Sequence, residues 1–201
     1  MRDGPMNTSA RLFLGALASE SEPPEAADEL LASSGDAESF AELYERYLPA
    51  VYRYVGARVR AREEAEDLTS EAFRQVWTSR HSYSGLGAFR AWLFTIVRRT
   101  VADHYRQRRS MTQQLVAPAV AEDALDEAPT PEEQVVQGER ELHARRLLSG
   151  LGEEQQEILR LRFAAELTYA EIAVVIGKRE DAVKKIAYRA LHLLRERNIH
   201  A

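Results

Sequence analysis

Apolar residues recur every three or four positions over most of this chain. Phe40, Leu43, Tyr44, Tyr47, Val51, Tyr54 and Val55 keep that spacing, which predicts one buried face of a helix that begins near Asp36. A second helix is predicted from about Glu63 to Ser79, with Ala65, Leu68, Ala72, Phe73, Val76 and Trp77 on one side. The stretch from Ser82 to Gly87 breaks the pattern with two glycines. A third helix, from about Ala88 to Arg109, turns Phe89, Trp92, Leu93, Ile96, Val97 and Val101 inward and ends rich in arginine. No segment sustains a period of two, so the expected fold class is all-α, with a compact helical bundle first.

Between residues 110 and 130 the periodicity is lost, and Ala, Asp, Glu and prolines such as Pro118 and Pro129 gather. Such a composition predicts a flexible acidic linker. Helical spacing returns at Pro131, passes through Leu142, Leu147 and Leu148, and breaks at Gly150 and Gly152. A further helix is expected from Glu153 to Ala165, carrying Ile158, Leu159, Leu161 and Phe163. Thr168 followed by Glu171 fits a capping box, in which each residue's side chain accepts from the other's backbone N–H. The short helix it opens closes at Gly177, and another starts near Glu180 with Val183, Ala187, Ala190 and Leu194 inward. Two helices joined by a tight Gly-containing turn, with small Ala173 at the crossing and a basic second helix, describe a helix-turn-helix.

Charge changes the picture. The 201 residues hold 27 basic and 32 acidic side chains, a formal net charge of −5, which by itself argues against a nucleic-acid partner. Residues 1–40 hold two basic and eight acidic side chains (−6), and 41–110 hold 13 and 8 (+5). Residues 111–139 hold none and seven (−7), and 140–201 hold 12 and 9 (+3). The two helical modules are therefore basic, and the acid lies in the leader and the linker. There is no cysteine, which removes disulfide scaffolds and thiolate chemistry and fits a reducing cytoplasm. No apolar run approaches the roughly 18 residues of a spanning helix, so no membrane insertion is expected. The apolar stretch from Leu12 to Ala18 is read as part of a leader rather than an export signal.

On the second helix of the helix-turn-helix, Glu180, Asp181, Lys184, Lys185, Tyr188 and Arg189 are the polar positions, and the start of such a helix meets base edges in the major groove. The first module offers another surface. Arg98, Arg99, Arg106, Arg108 and Arg109 share a helix with His104 and Tyr105, while Tyr83 and Trp92 stand near in sequence. Cations interleaved with aromatics suit single-stranded nucleic acid, the cations following the backbone and the rings stacking on bases. Phe89 and Trp92 belong by their spacing in the core, whereas base contact and packing are equally open for Tyr83 and Tyr105.

The stretches Ala65 to Trp77 (AEDLTSEAFRQVW), Phe89 to Ile96 (FRAWLFTI) and Asp103 to Arg106 (DHYR) resemble the second conserved region of extracytoplasmic-function sigma factors. Gln156 to Phe163 (QEILRLRF), Leu167 to Ala173 (LTYAEIA) and Ala182 to Lys184 (AVK) resemble their fourth region. The resemblance implies an initiation factor that binds core RNA polymerase through the beta-prime clamp helices and the beta flap, recognises promoter DNA as duplex and single strand, and is monomeric when free. It also implies an anti-sigma factor among candidate partners. It divides the chain into an acidic, disordered leader (1–35), a region 2 domain (36–109), a linker (110–130) that would thread polymerase channels, and a region 4 domain (131–201). Residue by residue, it places Glu66, Asp67, Thr69, Glu71, Arg74 and Trp77 on core polymerase. Arg80, Tyr83, Ser84, Arg90, Arg98, Arg99, His104, Tyr105, Arg106, Arg108 and Arg109 would meet the minus-10 element. Thr168, Arg179, Glu180, Lys184, Lys185, Tyr188 and Arg189 would meet the minus-35 element. Arg99 stands where many members carry Asn and Ile186 where many carry Arg, so promoter sequence is not transferred with the family.

Other classes find less in the residues. His81, His104, His143, His192 and His200 are scattered without a catalytic or metal-binding motif, so neither enzyme activity nor a cofactor or metal is expected. The alternative is a one-component regulator, dimeric, binding operator duplex through the helix-turn-helix.

Overall fold

A computed structural model describes residues 25–59, 61–84, 88–114, 148 and 150–199. Among the described residues there are seven α-helices, one short 3-10 turn and no strand. They are α1 (Glu25–Ser34), α2 (Ala37–Gly56), α3 (Arg62–Ser79), the 3-10 turn (Arg80–Ser82), α4 (Phe89–Gln114), α5 (Glu153–Phe163), α6 (Tyr169–Ile176) and α7 (Glu180–Ile199).

Local chemistry sets most of the boundaries. Gly35, at φ +67°, turns the chain out of α1 at a backbone angle that costs glycine little. Asp36 then caps α2, its Oδ1 accepting from the N–H groups of Glu38 and Ser39, each at 2.9 Å. At the other end of the chain Thr168 and Glu171 form the expected reciprocal cap: Thr168 N–H donates to the Glu171 carboxylate at 2.7 Å, and Glu171 N–H donates to Thr168 Oγ1 at 3.2 Å. Helix α6 closes at Gly177, φ +69°, where Lys178 N–H donates to the Ala173 carbonyl at 2.9 Å and Gly177 N–H to that of Val174 at 3.3 Å. Those two bonds satisfy carbonyls that the end of the helix would leave open.

In the first module α2, α3 and α4 enclose Val51, Tyr54, Val55, Val76, Leu93, Phe94, Val97 and Val101, all fully buried. Each such side chain stabilises the fold by about 1.5–3 kcal/mol relative to exposure. The Tyr54 and Phe94 rings meet edge to face, centroids 5.7 Å apart. In the second module α5, α6 and α7 enclose Ile158, Leu161, Leu167, Ile172, Val183 and Ala187, with Ala173 buried at the helix crossing. One apolar cluster runs through both modules, α6 lying against α4.

Two boundaries correct the sequence reading. Residues 25–34, expected within a disordered leader, form α1 and pack on α2 and α4. Leu31 and Ala32 pack on the apolar core, and Asp28, buried on α1, accepts from the Tyr47 hydroxyl and the Arg46 guanidinium, a pairing no hydrophobic period reveals. Helix α4 continues to Gln114, beyond the Arg109 expected, so the linker does not begin at 110. Residues 1–24, most of the linker and the helix expected from Pro131 to Leu147 lie outside the described residues.

Candidate nucleic-acid interface

The second module presents α7 as the exposed helix of its helix-turn-helix. Val183, Ala187 and Ala190 face inward, which leaves Lys185, Tyr188 and Arg189 exposed. Tyr188 is 59% exposed, far beyond what an apolar ring needs for packing. Lys184 bonds back to Glu180 at 2.7 Å, and that contact raises its pKa and engages both residues with each other. Arg179 is exposed at the mouth of the turn. Thr168 is engaged as the expected cap, its backbone N–H and its hydroxyl both held by Glu171. Ile186, partly buried, packs on the core.

In the first module the basic helix α4 is more engaged than its sequence suggests. Tyr105 is half-buried, its hydroxyl donating to the Arg58 carbonyl, and burial raises its pKa. His104 Nε2 lies 2.7 Å from the Glu64 carboxylate, which also takes Arg108 at 2.7 Å. Asp103 pairs with Arg106 and, at 3.8 Å, with Arg99. The side chain of Arg109 is outside the described residues. Arg99, Arg106 and Arg108 are still exposed, because an ion pair at a surface constrains a guanidinium without covering it.

The loop after α3 is anchored from beneath. Arg80 stacks on the Trp77 ring, 3.7 Å from its centroid, and donates to the carbonyls of Gly35 and Trp77 at 3.0 and 2.8 Å. Tyr83 lies against Phe89 and Trp92, and its hydroxyl donates to Glu29 of α1, which also accepts the Phe89 N–H at 2.9 Å. Burial, then the Glu29 contact, push the Tyr83 pKa up. Between base contact and packing, both Tyr83 and Tyr105 are thus engaged in packing, while Ser84 is exposed. Residues 85–87 of this loop are outside the described residues.

On α3, Glu66 and Asp67 are exposed, Glu66 paired with Arg62 at 2.8 Å, and Glu71 holds Arg74 at 2.6 Å. Thr69 does not share that surface: it is buried, and its hydroxyl has no hydrogen-bond partner among the described residues. Trp77 is partly covered by Phe40, ring centroids 4.9 Å apart.

Sequence reasoning missed a group at the junction of the modules. Glu157 of α5, 8% exposed, accepts from the Tyr54 hydroxyl at 2.6 Å and from Arg58, with Arg98 at 3.3 Å and Arg160 at 3.8 Å. Arg90 donates to the Ala165 and Glu166 carbonyls at 3.3 and 2.8 Å and lies 3.6 Å from Glu171. Arg53 donates to the Ala164 carbonyl at 3.2 Å and the Glu166 carboxylate at 2.7 Å. One signal was available: Glu157 precedes buried Leu161 by one helical turn and therefore shares its inward face.

Two helical modules, one ending in a basic helix and one built as a helix-turn-helix, define a nucleic-acid-binding class. Among the described residues no group of His, Asp and Glu is arranged to hold a metal, and no helix is long and apolar enough to cross a membrane. The sigma-70 region 2 family model matches residues 43–111, and the sigma-70 region 4 model matches 147–196. The chain is 38% identical over 167 residues to the ECF RNA polymerase sigma factor BldN of Streptomyces coelicolor, covering 81% of this chain and 61% of that one. It is 32% identical over 174 residues to the ECF sigma factor ShbA of Streptomyces griseus, covering 82% and 90%. It is 28% identical over 163 residues to the ECF sigma factor SigX of Bacillus subtilis, covering 79% and 83%. The match thus spans about three fifths of BldN. Its fold is that of CnrH in complex with the cytosolic domain of CnrY (TM-score 0.63, 21% identity, 85% and 96% of the chains). It is also that of RpoE in complex with the anti-sigma factor NepR from Bartonella quintana (TM-score 0.58, 22%, 80% and 96%). The chain belongs to the sigma-70 family, among the extracytoplasmic-function RNA polymerase sigma factors.

Proposed function

We propose that this chain is an alternative sigma factor: it binds core RNA polymerase, brings it to promoters carrying minus-35 and minus-10 elements, and assists strand opening. The observation that carries this reading is the occurrence of both family regions, in order, on a fold whose second module exposes the basic helix α7. In this reading Lys185, Tyr188 and Arg189, with Arg179 and Lys184, meet the minus-35 duplex in the major groove. Arg99, Arg106 and Arg108, with Ser84 and the loop around it, meet the minus-10 strand, where extruding a base costs a few kcal/mol that a cationic groove offsets. Glu66, Asp67 and Arg74, exposed on α3, with half-buried Glu71 between them, form the polymerase-facing surface. The factor acts in the cytoplasm, without a catalytic step of its own, and an anti-sigma factor is among its partners.

The test is reconstitution of the full chain with sigma-free core polymerase and fragmented genomic DNA, mapping transcript starts. New starts sharing two spaced elements are expected. Absence of new starts together with absence of core binding would sink the assignment, and tight operator binding by a free dimer would favour the one-component regulator.

A further inference from the structure

Helix α1 grips both ends of the loop that precedes α4. The Phe89 N–H donates to one carboxylate oxygen of Glu29 at 2.9 Å, and the Tyr83 hydroxyl donates to the other. Tyr83 and Phe89 are six residues apart in sequence. An extended chain would separate them by about 20 Å. Here one carboxylate and the contact of their rings, centroids 5.6 Å apart, hold them together. Pinning the ends costs conformational entropy, which two hydrogen bonds to a charged acceptor offset.

Local sequence does not supply this anchor. Ala88, the residue before α4, has no side-chain acceptor, so the first turn cannot be capped by its own N-cap. Glu29 does so from another helix and sets a negative charge at the positive end of α4. The rest of α1 supports the same loop. Arg80 donates to the Gly35 carbonyl at the end of α1, and Leu31 and Ala32 line a small apolar recess with Tyr83, Phe89 and Trp92. Asp28 ties α1 to α2 through Tyr47 and Arg46, so the docking of the helix does not depend on Glu29. Arg80 and Tyr83, both read from the sequence as minus-10 contacts, are thus held by α1, and Ser84 beside them stays exposed. Helix α1 lies ahead of residues 43–111, which the region 2 family model matches.

We propose that Glu29 is a positioning residue for the minus-10 surface: it fixes the ends of the Tyr83–Phe89 loop against the start of α4 before DNA arrives, and so makes α1 part of promoter reading. The inference rests on the sigma-factor reading. A loop ordered in advance loses less freedom when a strand binds, and the affinity otherwise spent on ordering it is retained.

The test uses holoenzyme assembled from the full chain and core polymerase, on a promoter recovered by mapping transcript starts. Two probes are used: a labelled single strand carrying the non-template minus-10 element, and a duplex carrying the minus-35 element alone. Glu29→Ala and Tyr83→Phe should each weaken single-strand binding about fivefold to tenfold, because apparent affinity falls with the fraction of loops in the competent arrangement. Core binding and minus-35 binding should not change. Glu29→Gln keeps a carbonyl acceptor and should recover most of the loss. Glu29→Ala combined with Tyr83→Phe should lose no more than Glu29→Ala alone, since both remove the same bond. Leu30→Ala, at a residue 75% exposed on the same helix, is the control and should change nothing. In the free chain, Glu29→Ala should speed hydrogen exchange of the Phe89 amide about tenfold by local opening. Unchanged strand affinity in both single variants, or losses that add in the double variant, would overturn the positioning role. So would a parallel fall in core, minus-35 and minus-10 binding, the mark of a merely structural Glu29. A wild-type chain that binds no core and yields no new starts would overturn the sigma-factor reading instead, and amide exchange unaltered by Glu29→Ala would overturn the Glu29 anchor by itself.

Discussion

Tyr54 of α2 and Glu157 of α5 are buried against each other across the two modules, the tyrosine hydroxyl donating to the carboxylate at 2.6 Å. Burial and the neighbouring carboxylate both raise the Tyr54 pKa, so its proton stays on the ring oxygen and the bond has a fixed direction. Tyr54→Phe removes the donor and leaves the ring in place. It should cost about 1.5–3 kcal/mol, the range for a hydrogen bond to a charged group. Chemical denaturation would register this as a lower midpoint with unchanged slope. An unchanged midpoint would mean that Arg58 and Arg98 satisfy Glu157 without it.

Acid should weaken the start of α2 through Asp36. Backbone and side-chain hydrogen bonds from Ser39, with Ser34 and Glu38, hold its pKa at about 2, against an ordinary 3.8. A carboxyl whose folded pKa is depressed stabilises the fold fully above the unfolded value and loses that contribution as pH falls toward the folded one. The stability difference between wild type and Asp36→Ala should therefore be constant above about pH 5 and shrink between about pH 4 and pH 2. A difference that persists at pH 2 would show that the cap acts without its charge.

Gly177 gives the helix-turn-helix its turn. A Cβ there would meet nothing within 4 Å, so any cost of substitution comes from the φ of +69° alone. Gly177→Ala should destabilise the second module by about 1–2 kcal/mol. Gly177→Asn should cost less, since Asn tolerates the left-handed region. Thermal melting of the full chain, with the Asn variant lying between wild type and Ala, is the expected order. Equal melting of all three would mean that the turn relaxes to another backbone angle.

The α7 cations are not equivalent. Lys184 is engaged by Glu180, whereas Lys185 and Arg189 are exposed. In holoenzyme bound to a promoter with a minus-35 element, Lys185→Ala and Arg189→Ala should each weaken binding. Each should also reduce the slope of log affinity against log salt by about 0.9 for every phosphate no longer neutralised. Lys184→Ala should change that slope less. Equal effects of all three would mean that DNA displaces Glu180.

Much of the architecture was legible in the apolar spacing. The faces of α2, α3 and α4 could be drawn from Val51, Val76 and Leu93 because helical periodicity records burial directly. The cap of α6 was legible for another reason: Thr168 and Glu171 act on backbone three residues away, so sequence distance and spatial distance coincide. Helix α1 was not legible, since its anchor, Asp28 to Tyr47 and Arg46, spans residues far apart in the chain. The candidate site divided along the same line. Basic α7 could be read from its residues, whereas the covering of Tyr83 by Glu29 and the burial of Thr69 could not.

The sequence by itself determined two helical modules, the basic charge on each and the helix-turn-helix, because each depends on contacts within a turn or two of helix or on composition alone. Only the tertiary structure decided which arginines are engaged. Arg90 and Arg98 have the same guanidinium as Arg99, yet Arg90 and Arg98 meet Glu171 and Glu157 from the far module while Arg99 projects outward. Charge is a property of the residue, but its availability depends on what the fold places within about 4 Å of it.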